Sequence, residues 1–136
     1  MRSAAGLIYS LLVMSHPASG HGSRTAVAFA RGALARGHRI HRVFFLDDGA
    51  AVGAAGAVFP QDEENPLELW TALAATHSLE LVLCVSSALR RGILDTGEAA
   101  RHERGTATIH RAFTIAGLGQ LVDAWTSSER LVTFGG

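Results

Sequence analysis

The chain is 136 residues long and 48% apolar, with twelve arginines balanced by twelve acidic residues, seven histidines and one cysteine. Such a length and apolar content describe one folded domain, residues 1–136, with a core of its own, and exclude a disordered chain. Zero net charge without a basic block disfavours nucleic-acid binding, the lack of any lysine rules out a Walker-type phosphate lysine or a lysine Schiff base, and a single cysteine admits no internal disulfide.

A lone thiol fits a reducing, cytoplasmic compartment. No stretch approaches the ~20 apolar residues of a membrane span. The opening "MRSAAGLIYSLLVMSHPASG" has the outline of a signal peptide. The rival reading, preferred here, is a buried first strand over Leu7 to Met14, because the pattern that follows needs it. "SHPASGHGS" is a loop, and "RTAVAFARGALARG" is a helix, with Ser23 as its cap and Gly37 just past its end. "RIHRVFFL" reads as the second strand. Residues 47–66 form a long connection, either a functional lid or a tolerated flexible loop. Within it, Asp47 and Asp48 point apart and cap the next turn, and "QDEEN" is a solvated acidic patch leading into a helix over residues 66–77. "LELVLCV" is the third strand and "SSALRRG" a short helix. Asp95 and Thr96 are cap candidates for the next helix. "TATIHRAFTIAG" is ambiguous but has room for a short strand; "LGQLVDAWTSSE" is a helix and "RLVTF" the last strand. This alternation predicts an α/β fold, a mostly parallel sheet of about five strands between helices.

Ligands of open parallel sheets bind beyond the carboxyl ends of the strands, where Cys84 falls. Ser86 and Ser87 are cap candidates for the helix behind it, whose N-terminal N–H groups would favour a thiolate. The alternative is a buried, inert cysteine. Arg90 and Arg91 either complement the helix C-terminus or dock a partner. His21 lies at the same sheet edge, either near Cys84 or simply solvated. His38 and His41 straddle a turn and a strand start, and His16 and His21 lack a neighbouring acid, so no metal site is expected. "SGHGS" weakly resembles the phosphate loop of flavin-binding proteins, which keeps a flavin- or nucleotide-binding module as an alternative, although G-x-G-x-x-G is absent.

"LCVSSALRRGILD" (83–95) resembles the cysteine segment of the DsrE/TusD family of sulfur-relay proteins. "HPASG" (16–20), "ALARGHRIHRVFFLDDG" (33–49), "FTIAGLGQL" (113–121) and "ERLVTF" (129–134) extend the likeness over nearly the whole chain. The resemblance implies a three-layer, flavodoxin-like or Rossmann-like α/β subunit and a mature strand at residues 7–14. It also implies a sulfurtransferase in which Cys84 carries sulfur as a persulfide, without metal or organic cofactor. The implied partners are paralogous subunits (TusB/TusC-like or DsrF/DsrH-like, typically in a hetero-hexamer), an upstream TusA-like carrier and a downstream TusE- or DsrC-like acceptor. The relay would serve tRNA wobble-uridine thiolation or oxidative sulfur metabolism. A non-catalytic structural subunit is the remaining alternative. "DDGAAVGAAGAV" departs in detail from the family's polar loop, which bears on partner recognition rather than on the cysteine.

Overall fold

The computed structural model describes residues 6–136; residues 1–5, which carry the arginine of the signal-peptide outline, lie outside the described residues. The elements run β1 (Ile8–Val13), α1 (Gly22–Ala35), β2 (Arg39–Phe45), a 3₁₀ segment (Asp47–Gly53), α2 (Pro66–His77), β3 (Leu81–Cys84), α3 (Val85–Arg90), α4 (Thr96–Arg101), β4 (Phe113–Ala116), α5 (Gly119–Thr126) and β5 (Arg130–Phe134). The five strands form one sheet in the order β4-β3-β2-β1-β5, and every pairing is parallel. The apolar run at the start of the chain is therefore an inner strand, with β2 on one side and β5 on the other.

Strand order explains where the helices lie. From β1 to β4 the chain steps in one direction, and right-handed crossovers keep those connections on one face. The step from β4 to β5 crosses back over the sheet and puts α5 on the opposite face. Alternating side chains divide accordingly. Leu11, Val13, Val43, Phe45, Leu81, Leu83 and Phe113 cluster with Ala26, Val27 and Ala30 of α1 and Leu67, Trp70 and Leu73 of α2. The other face holds a much smaller cluster of Phe44, Val82 and Cys84, with Leu12, Leu46, Ala116 and Leu121 against it. Each fully buried large apolar side chain contributes about 1.5–3 kcal/mol, so the face under α1 and α2 supplies most of the core.

Local signals act as expected at several ends. Asn65 accepts from the Leu67 N–H at the start of α2, Asp95 accepts from the Glu98 N–H at the start of α4, and Gly37, at φ +86°, ends α1. Ser23 does not cap α1. The helix begins at Gly22 with His21 as its cap, and the buried Ser23 hydroxyl accepts the Trp70 indole N–H at 3.1 Å. Residues 47–53 are neither a lid nor a loose loop. They coil into the 3₁₀ segment, whose Gly49, Ala50, Val52 and Gly53 are buried. A Cβ on Gly49 would run into the Val13 carbonyl, which is why the chain is small there. Beyond them, an isolated bridge joins Ala54 to Ile109.

Candidate active site around Cys84

Cys84 is the last residue of β3, opposite Ala116 of β4, and 4% exposed. The strand alternation puts its side chain with Phe44 and Val82 on the α5 face. The helix behind it starts one residue earlier than the serines imply. Cys84 itself is the N-cap of α3, and no side chain makes a capping hydrogen bond there. Ser86 and Ser87 thus fall inside the first turn and cap nothing. Ser87 is buried, and its Oγ accepts the Asp47 N–H at 2.8 Å, tying α3 to the 3₁₀ segment. Ser86 is exposed on the cavity.

That cavity, about 440 Å³, is lined by Cys84 with Leu46, Asp47, Ser86, Arg90 and Leu118, and by Val85, Ser87 and Gly117. These residues follow the carboxyl ends of three adjacent strands: 46–47 after β2, 85–90 after β3, and 117–118 after β4. Sequence reasoning named the middle group, placed Asp47 at this edge only as a turn cap, and missed Leu46, Gly117 and Leu118. The signal was present in the rule that loops after neighbouring parallel strands converge on one edge.

The two arginines separate cleanly. Arg91 donates from Nη2 to Asp48 at 2.7 Å and from Nη1 to the Ser87 carbonyl at 3.0 Å, so it fastens the end of α3 to the 3₁₀ segment. The hydrogen bond from Arg91 holds the Asp48 carboxyl below its ordinary value. Arg90 lines the cavity, is exposed, and has no hydrogen-bond or ion-pair partner among the described residues. His21 is not brought to the cavity. It stands at the start of α1, its ring 3.2 Å from the Arg24 guanidinium, beyond the end of β1, with β2 between β1 and β3.

A polar clamp, unforeseen from sequence, fixes the wall containing Leu118. Arg42 on β2 is buried and bonds Asp123 at 2.6 Å, Glu80 at 2.7 Å and the Gln120 carbonyl at 2.9 Å. Burial opposes its charge, but the bonds to Asp123 and Glu80 outweigh that and raise it above the usual guanidinium value. Since Ala124 is the only buried residue of α5, this clamp does much of the work of seating the helix.

The crevice where strand order reverses, between β1 and β5, is the usual nucleotide position. Here the chain itself fills it. The Ser15 hydroxyl donates to the Gly136 carbonyl at 2.9 Å and accepts the Gly22 N–H at 3.0 Å, and a Cβ on Gly20 would collide with the same carbonyl. The glycine loop is spent on chain packing, which disfavours the flavin or nucleotide alternative. Among the described residues no group of three or more His, Cys, Asp or Glu side chains is placed to hold a metal, and no helix is long and apolar enough to cross a membrane.

Comparison with known proteins gives the family and the fold. Residues 9–134 match the model of the DsrE/DsrF-like family. The DsrE protein of Allochromatium vinosum is 42% identical over 127 residues, 93% of this chain and 98% of that protein. A sulfurtransferase TusD homolog of Pseudomonas aeruginosa is 39% identical over 92% of this chain and 95% of its own length, and sulfurtransferase TusD of Serratia proteamaculans is 40% identical over 90% and 96%. The crystal structure of the ychN protein from E. coli superposes with a TM-score of 0.70 over 95% of this chain and all of that one, at 16% identity, a likeness of fold. On the family model and these relatives together, the chain belongs to the DsrE/DsrF-like family.

Proposed function

We propose that this protein is a sulfur-relay sulfurtransferase in which Cys84 carries sulfane sulfur as a persulfide. The observation that carries the reading is the placement of the chain's only cysteine, nearly buried, in the wall of an open cavity at the carboxyl edge of the sheet. In the first step the Cys84 thiolate attacks the outer sulfur of a donor persulfide. A bond forms between Sγ and that sulfur, the donor S–S bond breaks, and its electron pair leaves on the donor thiolate, which takes a proton. In the second step an acceptor thiolate attacks the same outer sulfur and Cys84 leaves as thiolate. Sulfur moves without net oxidation or reduction.

Burial gives this chemistry a direction. A persulfide places its outer sulfur about 2 Å beyond Sγ, while Cys84 as a residue is only 4% exposed and lines the cavity. Attack on the outer sulfur transfers it; attack on the inner one would release sulfide and leave a mixed disulfide. The near-burial of the residue favours attack on the outer sulfur. Arg90, unpaired on the rim, offers a charge for an acidic group of the docking protein. Ser86, exposed on the same cavity, adds a hydroxyl within it.

The relatives' names, sulfurtransferase TusD and DsrE, support a place in a sulfur relay; the partners proposed for it are paralogous subunits (TusB/TusC-like or DsrF/DsrH-like), a TusA-like carrier that feeds it and a TusE- or DsrC-like acceptor that empties it, all in the cytoplasm. Sulfite-reductase genes beside this one would assign it to oxidative sulfur metabolism; their absence would assign it to tRNA thiolation. The function is tested by incubating the protein with inorganic polysulfide and weighing it. A gain of about 32 Da that dithiothreitol removes, and that Cys84→Ser lacks, supports the reading; sulfinic acid adds nearly the same mass but resists the reductant. No gain on wild type would end it.

A further inference from the structure

Among the described residues four large apolar side chains are exposed: Val58, Leu118, Val122 and Trp125. The last three are 56%, 56% and 66% exposed and recur at i, i+4 and i+7 across the start and length of α5. They form one stripe, about 10 Å long at the helical rise. Leu118 is also a wall of the Cys84 cavity.

We infer that this stripe is the docking surface for the thiol-bearing protein that exchanges sulfur with Cys84, an inference that rests on the sulfur-relay reading above. Two observations select this occupant. Leu118 belongs both to the stripe and to the cavity, so a permanently bound second copy seated on it would also cover the way to Cys84. A partner that comes and goes covers Leu118 only while its own cysteine is in the cavity. The same cavity is lined by Arg90, a cation whose side chain has no partner among the described residues. The surface therefore fits a cysteine segment with apolar residues toward α5 and a carboxylate toward Arg90.

The probes are the acetylated peptide Leu-Leu-Glu-Cys-Gly and glutathione as a small thiol. Each is given to polysulfide-loaded protein, and its rate of removing the outer sulfur is measured. The ratio of the peptide rate to the glutathione rate is the readout, in wild type, Val122→Ser, Trp125→Ser and Trp125→Phe. The ratio should fall about tenfold in the serine variants, as for loss of an apolar anchor, and recover in Trp125→Phe. An equal ratio in all four proteins overturns the inference. So does sedimentation showing that wild type self-associates and the serine variants do not, since a second copy would then own the stripe. Failure of wild type to take up sulfur from polysulfide would count against the relay reading instead, so the two failures are distinct.

Discussion

Ser87→Ala tests how the fold supports the reactive edge. The Ser87 hydroxyl is buried and accepts the Asp47 N–H at 2.8 Å, and Asp47 sits at a left-handed φ of +52°, a conformation uncommon outside glycine that aspartate adopts more readily than most. Removing the acceptor strands that N–H at a cost of about 1–2 kcal/mol. Alanine is the better helix former, which returns about 0.5 kcal/mol. The net loss is about 1 kcal/mol. For 136 residues the unfolding entropy is about 0.3 kcal/mol per degree, so the melting temperature should drop by about 3–4 °C. Circular-dichroism melts at one fixed protein concentration would measure it, since any self-association shifts the midpoint. Ser86→Ala is the control: the same exchange in the same turn, but on an exposed side chain, should leave the midpoint unchanged or slightly raised. A Ser87→Ala melt no lower than that of Ser86→Ala would refute the reasoning.

Further outcomes follow from the same geometry. Gly49→Ala drives a Cβ against the Val13 carbonyl, backbone that cannot swing aside, and should destabilise by about 1–3 kcal/mol in urea titration. Acid should weaken the fold in a defined window. The carboxyls of Asp48 and Asp123 are held below their ordinary value by hydrogen bonds from Arg91 and Arg42, so their stabilisation is present above about pH 4 and is lost as pH falls through the folded values. Melts from pH 6 to pH 3 should show wild type losing its lead over an Asp48→Asn, Asp123→Asn double variant. Arg90→Ala should slow sulfur transfer to an acidic cysteine peptide more than to a neutral one, with the gap closing at high salt. Arg91→Ala should instead lower the melting temperature, because its guanidinium joins α3 to the 3₁₀ segment.

β1, β2, β3, β5, α1 and α2 were legible in the sequence within a residue or two at the ends, whereas β4 was only a possibility inside an ambiguous stretch over 106–117 and α5 stops three residues short of its expected end. Apolar runs of four to eight residues mark β1, β2 and β3, and Gly37, Asn65 and Asp95 mark boundaries through chemistry confined to a few neighbours. What the sequence hid was set by long-range contact. Residues 47–53 read as a loop because "DDGAAVG" lacks helical periodicity; Gly49, Ala50, Val52 and Gly53 are buried because the segment packs at the carboxyl ends of the strands against α3. Ser23 and Ser87 read as caps by composition, whereas each is engaged by a distant element, the Trp70 indole and the Asp47 amide. Arg42 alternates with Val43 in an apolar strand, and only the return of α5 over the sheet supplies Asp123 to meet it. Cys84 was found because it is unique. Its neighbours Leu46, Gly117 and Leu118 were missed, and Asp47 was read only as a turn cap, because they come from other strand ends.

The central claim is that Cys84, nearly buried in the wall of its cavity, hands its outer sulfur on intact. Single-turnover transfer tests it most directly: the chain is loaded with ³⁵S on Cys84, freed of donor, and mixed with an acceptor thiol peptide. The account predicts that the label moves to the peptide as a persulfide while Cys84 returns to the free thiol. Release of the label as sulfide, with Cys84 left in a mixed disulfide with the peptide, would contradict it.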